Sequence, residues 1–214
     1  MIAQQCGATV IHASDWRGFG VQKNRALAAA DGDWILSIDA DERIPAALQD
    51  EILRAIDSAS HVAYGIPRLS SFCGYFIRHC GWYPDVIVRL FRRDAAHFSD
   101  DQVHEKVIVS GGSTGQLRTP MIHYSYRNDG DYLRKLQQYS ELGAQQAFAT
   151  GKRATLKQAI GHALAAFLRT YFFKRGFLDG RGGLMVAISA AESSYHKYLK
   201  LMLLGEKSTI GDQD

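Results

Sequence analysis

The chain has 214 residues, 46% hydrophobic and 22% charged, which is enough to bury a core in one domain and to carry a helical appendage. A formal net charge of +3, with no Lys/Arg run and no RNA-binding signature, excludes nucleic acid as an expected partner. The charge is uneven: residues 151–214 carry ten Lys/Arg against five Asp/Glu, so the C-terminal part is the basic one. Three cysteines, Cys6, Cys73 and Cys80, offer no close metal pair, and a zinc site built on Cys73, His79 and Cys80 would lack its second pair. Nothing at the N-terminus resembles a signal peptide, so a reducing cytosol is expected.

In chain order, residues 7–12 read as a short strand and residues 22–30 as a helix closed by Asp31-Gly32. With residues 34–38 as the next strand, the opening is expected to be βαβ. Between strand and helix, Gly18 and Gly20 permit close backbone approach, and Lys23 or Arg25 near a helix start suits a phosphate. An ordinary glycine-containing turn before a solvated helix face explains the same spacing.

Trp34-Ile35-Leu36-Ser37-Ile38 has the apolar run of a buried strand with both faces covered, as in a parallel sheet. It ends in Asp39-Ala40-Asp41-Glu42. Ligands of open α/β sheets bind beyond the carboxyl ends of strands, and two carboxylates one residue apart can share Mg²⁺ or Mn²⁺. A solvated acidic turn is the competing explanation; an EF-hand is excluded by Arg43-Ile44-Pro45, which replaces that loop's ligands and glycine.

Pro45 then suits a first helical turn, and Leu48, Ile52 and Ile56 repeat at four-residue spacing through Ser58, as in a packing helix. Residues 62–69 and 86–91 read as strands. Between them, an aromatic and glycine-rich loop from Phe72 to Pro84 serves either to stack a sugar or base or as a local hydrophobic cluster. In Asp100-Asp101-Gln102-Val103-His104-Glu105, the Glu-His pair supplies a base and a cation ligand, or is a charged edge strand. Residues 121–126 form a last short strand, with His123 facing a site or hydrogen-bonded in the core.

From residue 129 the pattern is helical, over 129–150, 155–174 and 183–204, with glycines between. Arg169 and His162 interrupt the longest apolar candidate, which falls short of the ~20 residues of a membrane span. The aromatic and basic run from Phe167 to Arg175 suits a helix lying in a membrane interface, or one packed on the rest of the protein.

Taken together, Gly18-Phe19-Gly20-Val21-Gln22-Lys23-Asn24, residues 33–42, Val103-His104-Glu105, His123-Tyr124-Ser125-Tyr126 and Lys174-Arg175-Gly176-Phe177-Leu178-Asp179-Gly180 resemble the family 2 inverting glycosyltransferases. Within them the likeness is to the bacterial branch that adds a glucose-type sugar to the lipopolysaccharide or lipooligosaccharide inner core. The resemblance implies an α/β, GT-A-like fold over residues 1–126 with a helical tail over 127–214 that docks on the inner face of the cytoplasmic membrane. It implies a nucleotide-sugar donor, UDP-glucose, and a lipid-anchored oligosaccharide acceptor. Asp41 would be the ligand of a divalent metal, Mg or Mn, with Asp39 at the nucleotide or the metal's water shell and His104 assisting. Lys23 would lie near the nucleotide, and Glu105 would take the acceptor hydroxyl's proton. The family's opening strand-helix-strand, with an early Asp that holds base and ribose, is expected upstream of where this chain starts. Two further functions are consistent with the pattern: sugar transfer to polyprenyl phosphate, and a non-catalytic remnant that binds membrane or a partner.

Overall fold

The computed structural model describes residues 2–99 and 105–211, with side chains to residue 206. Helices α1 (Ile2–Gln5) and α2 (Phe19–Ala28) precede strands β1 (Trp34–Leu36) and β2 (Glu42–Arg43) and helix α3 (Ala46–Ser58). Strands β3 (Ala63–Phe72), β4 (Tyr75–Phe76), β5 (Asp85–Arg92), β6 (Ala96–Phe98), β7 (Val107–Val109), β8 (Thr114–Gln116) and β9 (Met121–Tyr126) follow. The chain ends in α4 (Asp129–Ala149), α5 (Leu156–Leu168) and α6 (Gly180–Gly211), with a π-helical turn (Arg169–Phe173) and a 3₁₀ turn (Gly176–Asp179) between the last two.

The main sheet runs in the order β1-β5-β3-β9-β2, with β4 and β8 also paired to β3, while β6 and β7 form a separate ribbon. Strand β1 is antiparallel to β5, with Trp34 opposite Arg92 and Leu36 opposite Leu90. Strand β8 is parallel to β3, with Ala63 opposite Thr114. Packing divides the chain into two compact units, Met1–Pro67 with Val86–Met121 and Arg68–Asp85 with Ile122–Asp214.

In the first unit, α3 starts behind Pro45, whose φ of −63° is already helical. Its Leu48, Ile52 and Ala55 turn one face onto Tyr64, Ile66, Leu90 and Met121 to make the principal core. A second cluster joins Phe91, Ala96 and Phe98 to Leu27 of α2, and so fixes α2 against β6. Burying one such aliphatic or aromatic side chain is worth roughly 1.5–3 kcal/mol.

In the second unit, Phe72, Ile77 and Cys80 pack with Tyr132 and Leu136 of α4 and Val186 of α6. The α4 start is capped by Asn128, whose side-chain oxygen accepts from the Asp131 N–H at 2.9 Å. Asp129 and Asp131 place negative charge in that first turn, against the positive end of the helix dipole. A reciprocal capping box opens α5, with Gln158 N–H donating to the Thr155 hydroxyl at 3.3 Å and Thr155 N–H to the Gln158 side chain at 2.9 Å. The start of α6 comes so close to the 3₁₀ turn that a Cβ on Gly183 would lie 1.8 Å from the Gly176 carbonyl oxygen.

Several sequence expectations are corrected. Residues 8–18 form neither helix nor strand, so the opening is not βαβ; Ile11 is half-exposed, and among the described residues no ladder partner holds residues 7–12 extended. Strand β1 is not a buried parallel strand: it pairs antiparallel with β5, stands at the end of the sheet order and is only half-buried. The helix expected from residue 22 begins at Phe19, and the one expected over 155–174 loses α geometry at Arg169. The last helix reaches back to Gly180 and on to Gly211. Among the described residues, no helix is long and apolar enough to cross a membrane.

Candidate active site

The turn after β1 is closed by its own carboxylate. Glu42 N–H donates to the Asp39 carbonyl at 3.0 Å, while Asp39 N–H donates to Glu42 Oε2 at 2.8 Å. Glu42 is fully buried there, with a side-chain exposure of 0%, and needs a cation. Arg89, from β5, supplies it: one Nη2 donates to Glu42 Oε1 at 2.6 Å and to Asp39 Oδ2 at 2.5 Å, with the side chain 5% exposed. The neighbouring register is set by Ser37 N–H donating to the Arg89 carbonyl at 2.8 Å.

The other Asp39 oxygen meets Lys23. Lys23 Nζ lies 3.0 Å from Asp39 Oδ1 and 2.7 Å from Glu105 Oε1, so one ammonium joins the turn after β1 to the segment before β7. Lys23 is aimed by its neighbour. Asn24 Nδ2 donates to the Phe98 carbonyl and its Oδ1 accepts from Phe98 N–H, both at 2.9 Å, pinning α2 to β6 as a strand partner would. The Phe98 ring then lies 5.6 Å below the ammonium.

Burial alone would raise the Asp39 pKa, but the hydrogen bonds and charges of Arg89 and Lys23 outweigh it and hold the carboxyl below its ordinary value. Burial likewise opposes the Arg89 charge, and the two carboxylates reverse that effect and raise its pKa. Asp41 is half-buried two residues beyond Asp39. Three carboxylates, Asp39, Glu42 and Glu105, therefore share this region with two cations, Lys23 and Arg89, and Asp41 follows in the same turn.

Those donors are hard oxygens, and among the described residues no three His, Cys, Asp or Glu converge into a closed cage. Hard oxygens of this kind suit a cation held by one or two carboxylates together with substrate phosphates, although both Asp39 oxygens already face Arg89 and Lys23. A lysine ammonium has three donors, and among the described residues two meet carboxylates here, which leaves one for an anion.

Of the residues singled out in the sequence, Lys23, Asp39 and Glu105 come together, Asp41 follows directly, and His104 lies outside the described residues. His123 belongs to the second unit, with Nδ1 2.9 Å from the Ser70 hydroxyl. Glu42 and Asn24 stand in the motifs quoted above, but their structural roles, and Arg89 altogether, escape sequence inspection. For Arg89 a signal existed: a cation inside the apolar run Val86-Ile87-Val88-Arg89-Leu90-Phe91 must find a buried partner.

The profile of glycosyl transferase family 2 matches residues 1–108. The lipopolysaccharide core biosynthesis glycosyltransferase LpsC of Rhizobium meliloti is 30% identical over 199 residues, covering 86% of this chain and 71% of its own. Uncharacterized glycosyltransferases of Rickettsia prowazekii and Rickettsia typhi are each 28% identical over 218 residues, covering 97% of this chain and 74% of theirs. The match over half of the chain and the 30% identical relative show that the chain belongs to glycosyltransferase family 2 and is a glycosyltransferase of GT-A fold with a C-terminal helical region.

Proposed function

We propose that this chain transfers glucose from UDP-glucose to the core oligosaccharide of a lipid-anchored lipopolysaccharide or lipooligosaccharide, with inversion at the anomeric carbon. The observation that carries the reading is the Lys23 ammonium held 3.0 Å from Asp39 and 2.7 Å from Glu105, which joins a nucleotide-side carboxylate to a candidate base. The relative named for lipopolysaccharide core biosynthesis supports the acceptor class. Glucose and uridine come from the resemblance of the motifs.

In this reading Glu105 takes the proton of the acceptor hydroxyl as that oxygen forms its bond to the anomeric carbon and the bond to the diphosphate breaks. Lys23 uses its remaining N–H on the diphosphate, while Arg89 keeps Asp39 fixed toward the nucleotide. Asp41, with Asp39 and His104, would hold Mg²⁺ or Mn²⁺, which when bound offsets the charge on the leaving diphosphate. Residues 1–126 are assigned the chemistry and residues 127–214 the docking of the enzyme on the inner face of the cytoplasmic membrane.

Docking is supported by a row of exposed apolar side chains at four-residue spacing, Leu156, Ile160, Leu164 and Leu168, followed by Phe172 and by Phe173, which is 83% exposed. Lys152, Arg153, Lys157 and Arg175 flank that row in sequence, so apolar rings and anion-seeking cations occur together, as an anionic lipid surface requires.

Titration calorimetry of the chain with UDP and Mn²⁺ tests the donor half of this reading. Saturable binding that Asp41→Ala removes is the expected result. Binding that is indifferent to Mn²⁺ and to Asp41→Ala would overturn the metal assignment.

A further inference from the structure

Within the second unit the Lys174–Gly180 motif builds a contact of its own. Asp179, with its side chain 6% exposed, accepts from His79 N–H at 2.7 Å, from Arg78 N–H at 3.2 Å and from His79 Nδ1 at 2.8 Å. The Lys174 carbonyl accepts from Cys80 N–H at 2.9 Å. A Cβ on Gly81 would lie 2.5 Å from Lys174 Nζ, so the loop that follows β4 packs directly on the lysine side chain. The motif is thus a clamp on the loop that carries Trp82.

Under that clamp lies a cavity of about 330 Å³ within the second unit, whose walls include Trp82, Tyr126, Tyr139, Arg169, Lys174 and Ser193. Its volume is at the lower end of small-ligand sites, the size of one or two sugar rings. The Trp82 and Tyr126 rings stand 6.1 Å apart, inclined by 37°, and form the wall shared with a second cavity of about 320 Å³ lined by Arg68, Ser70 and His123. Arg169 opens the π-helical turn, a feature that recurs at functional sites. The side chains of Arg169 and Lys174 have no ion-pair or hydrogen-bond partner among the described residues, although each of them lines the cavity. By contrast Arg68, in the neighbouring cavity, is neutralised by Asp85 at 2.5 Å.

From this pairing of aromatic faces with two uncompensated cations we infer that the cavity binds an anionic saccharide, its ring against Trp82 and Tyr126 and its carboxylate or phosphate on Arg169 and Lys174. Aromatic faces suit the C–H face of a sugar, and guanidinium suits a planar carboxylate or a phosphate by bidentate donation. As the acceptor-recognition site of the enzyme, the cavity rests on the transferase reading above. The clamp orders the loop that carries Trp82.

The test is calorimetry on the full chain with four probes: methyl β-glucuronide, glucose 6-phosphate, neutral methyl β-glucoside and inorganic phosphate. One or both anionic sugars should bind about tenfold more tightly than the neutral glucoside and than phosphate alone, the scale of one charge-assisted contact. Arg169→Gln and Lys174→Gln, both at exposed positions, should each erase that preference. Preference for the glucuronide identifies a carboxylate ligand, and preference for the sugar phosphate a phosphorylated one. Equal binding of charged and neutral sugars, phosphate binding as well as the sugar phosphate, indifference to both substitutions, or no binding overturns the inference. So does binding of anionic vesicles, and of no sugar, that the two substitutions weaken. UDP with Mn²⁺ is titrated into the same samples: its failure counts against the transferase reading, while failure of the sugars beside intact UDP binding counts against the cavity alone.

Discussion

Replacing Arg89 by Met should be among the most damaging single changes in the first unit. The side chain is 5% exposed and its Nη2 serves both Glu42, at 2.6 Å and 0% exposed, and Asp39 at 2.5 Å. Without it, Glu42 is left as a buried carboxylate facing its own turn, and removal of one partner of a buried pair costs about 3–5 kcal/mol. For a chain of this length that corresponds to a fall of roughly 6–20 °C in Tm. Among the described residues Arg89 Nε is buried without a hydrogen-bond partner, so the pair is imperfectly satisfied, and the doubly apolar variant Arg89→Met/Glu42→Leu should recover at least about 2 kcal/mol of the loss. Urea unfolding followed by circular dichroism at pH 7 measures all three. A single variant within about 1 kcal/mol of the parent, or a double variant whose loss is the sum of two large ones, would refute the claim that Arg89 exists to compensate Glu42.

Asp39 gives a pH prediction. Its folded pKa is lowered, so its stabilising pairings with Arg89 and Lys23 are fully present above the unfolded value of about 3.9 and are lost as pH falls through the folded one. Stability should therefore drop on acidification below about pH 4, and less steeply in Arg89→Met; a variant with an unchanged acid limb contradicts the assignment. Gly183→Ala brings a Cβ to 1.8 Å from the Gly176 carbonyl oxygen, so the backbone must move, and a loss of about 1–3 kcal/mol or more is expected in thermal unfolding. An alanine there without effect would mean that the 3₁₀ turn and α6 do not meet as described. Phe172→Ser/Phe173→Ser should reduce cosedimentation with anionic vesicles, and raised salt should reduce it further; equal pelleting of parent and variant with neutral lipid removes the interfacial docking idea.

Local signals made much of the fold legible. Pro45 with Leu48 and Ile52 marks α3 because the cap and the periodicity are both local, and Val86 to Phe91 marks β5 because an apolar run leaves little choice. The acidic turn is recognisable because Asp39 and Asp41 follow an apolar run. What escaped depends on distant pairing. Residues 9–11, Thr-Val-Ile, have strand propensity but no ladder in the described structure, so propensity gave way to tertiary context. The antiparallel pairing of β1 with β5 joins Trp34 to Arg92, a register that an isolated strand does not encode. Arg89 was visible as an anomaly in an apolar strand, yet its partner Glu42 lies 47 residues away and looked like part of an acidic cluster. The Lys174–Gly180 motif could be seen but not interpreted, because its contacts lie about 100 residues earlier, at His79.

The role of Glu105 as the base of a sugar transfer organised by Lys23 is put to the test by the Glu105→Gln enzyme. Transfer from UDP-glucose to a lipooligosaccharide acceptor should fall by at least about a hundredfold, because a general base contributes 10²–10⁴ in rate, while calorimetric binding of UDP with Mn²⁺ persists. Near-normal transfer by Glu105→Gln, with UDP binding intact, would contradict the account.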